Sequence, residues 1–287
     1  MYARHTTQPL PLSASAQPSN LSRLSIGDQV FMCVAHKTQL MIVCVTDPTA
    51  SPIIASPSVG GKPLPITQAR WVPTLKRHLL VVTGRGGVVF YSWDAASLLK
   101  VVTLGEEGSS AGGEEGPAGG AGSTLLARGV ASIDGQVAVG TSTGEVLVLR
   151  GGDGRILRPG DDDDEEDEEL SHACDDDVGV ESFRFRWRPY AVAALATCGD
   201  GRLAVGYVRG HVAVGRCRGN GIEKLWEVES YGSAVSCLAS SDGLLLAGFL
   251  SGHLRVYQLQ PKTFLAAEVC AHGRAVTGLD AVGTGDE

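Results

Sequence analysis

A chain of 287 residues, 43% of them hydrophobic and 38 of them glycine, is long enough to bury a substantial core and is dense in turns. Its net charge of −8 misstates the body: residues 161–177 hold twelve acids, and the remainder sets 24 basic against 20 acidic residues. Seven cysteines, an odd number with no CxxC pair, exclude a secreted disulfide framework. The N-terminus has no apolar segment of the signal-peptide kind, and no apolar run approaches the roughly 18 residues of a membrane helix. Membrane insertion is therefore not expected, and the expected address is the cytoplasm, with nuclear or ciliary association left open.

In chain order, one phrase recurs five times: an apolar run, a small residue, three variable residues, a second mark, then another apolar run. It begins as the degenerate "CVAHKTQLMIVCV", with Ala35 and Gln39 at the two marks. It continues as "LVVTGRGGVVFY" (Thr83, Gly87) and "VAVGTSTGEVLVL" (Gly140, Gly144). It ends as "RLAVGYVRGHVAVGRCR" (Gly206, Gly210) and "LLLAGFLSGHLRVYQLQ" (Gly248, Gly252). Val, Leu and Tyr suit a pleated surface, and glycine at the second mark supplies the positive φ of a tight hairpin. Gly87, Gly144, Gly210 and Gly252 are the expected turn glycines. The runs are apolar throughout rather than alternating, so these strands are expected to be buried on both faces.

The second marks lie 48, 57, 66 and 42 residues apart. About 40 to 45 residues is the period of a four-stranded propeller blade. The longer gaps hold a Pro-rich stretch, a Gly/Glu/Ser low-complexity insertion at 105–124, and an acidic insertion at 160–182 whose like charges repel and are expected to leave it disordered. Residues 1–20 read as an N-terminal tail with the potential to add a closing strand, and 21–287 as one partial propeller. The prediction is an all-β fold: a β-propeller of about five complete blades plus the start of a sixth, "AHGRAVTGLDAV". A ring must pair or cover its end strands, so a full-length protein longer at its C-terminus, with seven blades, is expected.

These phrases look like WD repeats. More narrowly, "NLSRLSI", "LPITQARW", "ARGVASIDGQVAVGTSTGEVLVLR" and "CAHGRAVTGLD", in that order, resemble the family of WD-repeat-containing protein 54. The resemblance covers most of 8–280 and implies a single propeller, an intracellular interaction role and no catalytic residues. The WD signature itself is nearly absent. Trp93–Asp94 sits one residue past its place after Gly87, Tyr257 best matches the Trp position, and His272 matches the His before an inner strand. The turn Asp is replaced by Thr143, Arg209 and Ser251. The blades are expected to rest on aliphatic packing rather than on a His–Ser–Asp–Trp network.

Residues with chemical potential read mostly as structure. "GTSTG" at 140–144 matches a hydrolase nucleophile elbow, but strands flank it on both sides and its sister copies lack the Ser, so Ser142 reads as a turn residue. His211 and His253 share one position after the turn and lack partners at metal-ligand spacing. No nucleotide-binding motif occurs, and no cofactor is expected. "FRFRWRPY" alternates, placing Phe183, Phe185 and Trp187 on one face and Arg184, Arg186 and Arg188 on the other. The adjacent acidic run argues against phosphate backbones as ligands for that stripe.

The function these features favour is a non-enzymatic protein–protein interaction scaffold. Its variable hairpin turns (Thr141–Thr143, Tyr207, Val208 and Arg209, then Phe249, Leu250 and Ser251) share one rim by repeat symmetry, with the Arg184, Arg186 and Arg188 stripe as a second candidate surface. The alternative is a carrier of basic proteins such as histones, using the acidic insertion.

Overall fold

The computed structural model describes residues 12, 20–74, 77–105, 125–149, 183–218, 221–260 and 263–281. The body of the 1–20 tail and of both expected insertions lies outside the described residues.

Five four-stranded antiparallel sheets follow one another along the chain. The first holds β1 (Leu21–Ile26), β2 (Gln29–His36), β3 (Gln39–Cys44) and β4 (Ile53–Ala55). A two-stranded ribbon, β5 (Ser58–Val59) and β6 (Lys62–Pro63), leads to the second: β7 (Ile66–Pro73), β8 (His78–Gly84), β9 (Gly87–Ser92) and β10 (Leu98–Thr103). The third is β11 (Ala127–Ile133), β12 (Gln136–Thr141), β13 (Glu145–Leu149) and β14 (Phe183–Arg186). The fourth is β15 (Val192–Thr197), β16 (Arg202–Tyr207), β17 (Val212–Arg218) and β18 (Gly221–Val228). The fifth is β19 (Val235–Ser241), β20 (Leu244–Phe249), β21 (His253–Gln258) and β22 (Phe264–Cys270). Within each sheet the strands pair in sequence order, and the described residues contain no helix. This is the five-bladed propeller arrangement the repeats predict.

Neighbouring blades bury each other's faces, which is why β8, β12 and β16 are apolar on both sides. The inner strands β1, β7, β11, β15 and β19 pack in succession. Between them lie four apolar layers. Leu40, Trp71 and Tyr91 fill the first; Val81, Val139 and Leu149 the second. Ile133, Leu195 and Tyr207 fill the third, and Val214, Phe249 and Tyr257 the fourth. Tyr257 pairs with Leu245 across the fifth blade, and the equivalent position is filled by Tyr91, Leu149 and Gly215 in the second, third and fourth blades. β7, β11, β15 and β19 each carry a bulge near their start, between Ile66/Gln68, Ala127/Val130, Val192/Ala194 and Val235/Cys237. A bulge locally increases twist, and its recurrence shows it belongs to the repeat.

One turn glycine differs from expectation. Gly144, Gly210 and Gly252 have positive φ, but in the second blade the positive φ is at Gly86, not Gly87. Gly84 pairs with Gly87 across a two-residue turn, whereas three residues separate the strands in the third and fifth blades and four in the fourth. Gly87 is therefore the first strand residue, equivalent to Glu145 and His253, and to His211, whose carbonyl accepts the Tyr207 N–H just before β17. It is glycine for a different reason: a Cβ there would lie 2.8 Å from the Val102 carbonyl oxygen.

The segment expected to open a sixth blade packs on the fifth without forming a strand. Beyond β22 the chain forms no strand through 281, but Val276 is buried and its N–H donates to the Phe249 carbonyl at 3.2 Å. It lies against Gly248 as Val192 lies against Gly140 and Val235 against Gly206, the residues that open β15 and β19. At the other end, Leu12 packs on the layer of Val34, Met41 and Val43 on the first blade.

Candidate interaction surfaces

The hairpin turns joining the second and third strands of the third, fourth and fifth blades share one backbone geometry. Their shape follows from backbone packing. A Cβ at Gly144 would strike the carbonyls of Arg188 and Tyr190, one at Gly210 that of Ser233, and one at Gly252 those of His272 and Arg274. Gly144 and Gly210 sit on the links to the next inner strands and Gly252 on the segment after β22, and only glycine combines that approach with a φ near +85°. In the third blade, Thr141 Oγ1 shares a 2.8 Å hydrogen bond with Thr143 and donates to the Glu145 carbonyl at 3.0 Å. This Thr pair takes the place of a turn Asp. Ser142 and Leu126 exchange hydrogen bonds, Ser142 N–H to the Leu126 carbonyl and Leu126 N–H to Ser142 Oγ. Ser142 thus lies in a strand–turn–strand, not on an elbow leading into a helix.

The predicted rim residues divide by burial. Tyr207 and Phe249 are fully buried and hold the turns from below. Val208 and Leu250 are 38% and 50% exposed, and Arg209 and Ser251 face solvent beside them. On β14, Arg184 and Arg186 are exposed while Phe183 and Phe185 are half-buried, as the alternation predicts. Arg184 Nη1 lies 4.0 Å from Glu145. Arg188 leaves the stripe: it is bonded to Glu227, whose second oxygen takes Lys224 Nζ at 2.8 Å. Burial alone would raise the Glu227 carboxyl, but the two cations outweigh it and hold it below the ordinary carboxylate range.

The geometry adds residues the repeat phrase did not single out. Tyr190 stacks on His211 with ring centroids 5.2 Å apart, and Tyr231 meets His253 at 5.4 Å in the next blade. The two histidines thus each support a tyrosine from the inter-blade link. Arg255 lies over the Tyr231 ring, 3.9 Å from its centroid. Its guanidinium donates to Glu268 Oε2 at 2.8 Å, and the Tyr231 hydroxyl donates to Oε1 at 3.1 Å. The Arg255 hydrogen bond, with that of Tyr231, holds the Glu268 carboxyl low. A Tyr two or four residues before an inner strand was the available sequence signal.

Comparison with known proteins agrees with the fold. No family model matches the chain. It is similar to WD repeat-containing protein 54 of Mus musculus, 25% identical over 98% of this chain and 78% of that protein. WD repeat domain 54 of Rattus norvegicus is 24% identical over the same shares. The family resemblance is thus borne out as a distant match, with this chain the shorter. The crystal structure of the computationally designed Ika8 protein superposes with a TM-score of 0.52 over 89% of this chain and 63% of that one. At 17% identity that likeness bears on fold alone. No helix among the described residues is long and apolar enough to cross a membrane.

Proposed function

We propose that this propeller is a non-enzymatic protein-interaction scaffold that docks partners on the hairpin rim of its fourth and fifth blades. The observation that carries the reading is the pairing of exposed Val208, Arg209, Leu250 and Ser251 with the buried Tyr207 and Phe249 beneath them. Apolar and charged groups raised on a rigid base lose little conformational entropy on binding. The distant match to a WD-repeat protein supports the same reading. Free cysteines at Cys33, Cys44, Cys198, Cys217, Cys237 and Cys270 suit a reducing intracellular compartment. In this reading residues 21–287 act as one propeller, and the 1–20 tail and the 105–124 and 160–182 insertions are appendages.

The test places a photo-crosslinking residue at Val208 or Leu250 and compares the captured polypeptides with those held by a Val208→Asp/Leu250→Asp variant. Rim docking requires discrete crosslinks whose partners the double variant loses. An unchanged partner set in that variant rejects the rim. A third arm replaces residues 161–177 with Gly/Ser. Partners that are uniformly basic, salt-sensitive and lost only in that arm would instead assign binding to the acidic insertion, as a carrier of basic proteins would have it.

A further inference from the structure

An open channel of about 590 Å3 runs between the inner strands β1, β7, β15 and β19 and the segment after β22, lined among others by Arg23, Arg70, Trp71 and Ser240. The arginines come from successive inner strands: Arg23 on β1, Arg70 on β7 and Arg128 on β11; Arg128 does not line the channel itself but meets Arg70 at a recess of about 20 Å3, room for about one water. Arg70 and Arg128 are both only partly accessible. Arg70 donates one hydrogen bond, from Nη1 to the Val130 carbonyl at 3.1 Å. Among the described residues no salt bridge engages either, and the one carboxylate in the lining is the exposed Asp280 of the segment after β22. Burial lowers the pKa of both guanidiniums, and the Asp280 charge offsets this only for Arg70. Thr67 and Gln68 complete the recess; Gln68 Oε1 accepts the Gly129 N–H at 3.0 Å, which leaves the amide NH2 as a further donor.

A partly desolvated cation without an anionic neighbour, as Arg128 is among the described residues, is unfavourable, and an arriving oxyanion reverses that cost. Guanidinium forks match phosphate oxygens bidentately, and low-dielectric walls focus the field along a channel. We infer that the channel binds a small soluble phosphorylated molecule whose phosphate oxygens engage Arg70 and Arg128. The channel has room for the body of such a ligand, with its phosphate at the mouth of the recess where Arg70 and Arg128 meet. This site is separate from the hairpin rim and stands whether or not the rim docks proteins.

The test is calorimetric titration of the full chain with pyrophosphate at fixed ionic strength, with inorganic phosphate and citrate as comparison arms. Saturable one-to-one binding of pyrophosphate, tighter than either comparison anion, is expected. Arg128→Gln should weaken it about tenfold or more, and Arg70→Gln likewise, as expected for a charge-assisted contact. Asp280→Asn should tighten it roughly two- to fivefold by removing like-charge repulsion. Arg184→Gln, on outer β14, should leave it unchanged. The opposite sign for Asp280→Asn keeps the test valid even if Arg70→Gln disturbs the fold. Absence of saturable binding overturns the inference, as does equal binding of citrate. So does pyrophosphate binding that Arg128→Gln and Asp280→Asn both leave unaltered.

Discussion

At the residue scale, burial governs chemistry that the sequence shows only as letters. Cys33 sits at 1% exposure in the layer between the first two blades, and burial pushes its thiol from 9.0 up to about 12. Cys198 is likewise pushed up to about 11 by burial. Between pH 9 and 12 the unfolded chain loses the Cys33 proton while the folded chain keeps it. Stability is therefore insensitive to this thiol below pH 9 and falls above it, at up to about 1.4 kcal/mol per pH unit. The urea midpoint of the wild type should drop between pH 8.5 and 10.5, and Cys33→Ala should flatten that drop. An equal slope in the variant would show that other groups carry it. The apolar setting of this cysteine was legible from "FMCVAHK", because the run around it is a buried strand. The exact turn residue was not legible in the second blade. "GRGG" offers three glycines, and which one takes positive φ depends on whether the hairpin closes over two residues or three. The Asp-Gly pairs 134–135 and 242–243, with positive φ at both residues, were a clear hairpin signal between the first and second strands of two blades.

At the element scale, β14 shows how a short outer strand can do the work of a missing signature residue. Gly215 occupies the position held by Tyr257 in the fifth blade and Tyr91 in the second. A Cβ there would lie 2.5 Å from the Trp187 ring and 2.6 Å from the Glu223 carbonyl oxygen. The indole of Trp187, just past β14, fills the space that a side chain on β17 would take, and it packs on Phe185 with centroids 4.7 Å apart. Trp226 of the fourth blade meets Tyr257 of the fifth in the same sense, edge to face at 5.2 Å. Trp187→Ala should cost about 2 kcal/mol in chemical denaturation, below the usual range for a fully buried Trp because this ring is half-buried. Arg184→Ala, on the opposite face of the same strand, should cost less than about 0.5 kcal/mol. Similar losses from the two would mean the strand does not present its aromatic face inward. The alternation was readable from "FRFRWR", but that Trp187 serves the following blade was not. That depends on which inner strand stands next in the ring, information that lies in tertiary order rather than local period.

At the scale of the whole molecule, stability should be graded along the array, because each blade draws its burial from its neighbours. β16 is buried at every residue, flanked by blades on both sides, whereas every residue of β22 is exposed, including Phe264, Leu265 and Val269. The outer strand β10 is intermediate, with Leu98 58% exposed. Local opening free energies follow buried contacts and backbone access. Hydrogen exchange under native conditions should therefore be slowest in β12 and β16, faster in β10 and fastest in β22. The Trp226–Tyr257 contact ties β18 to the fifth blade, so Trp226→Ala should accelerate exchange in β20 and β21 while leaving β8 and β9 unchanged. A uniform rise across all five blades would mean that the ring opens as one cooperative unit, and the nearest-neighbour picture drawn from the repeats would then fail.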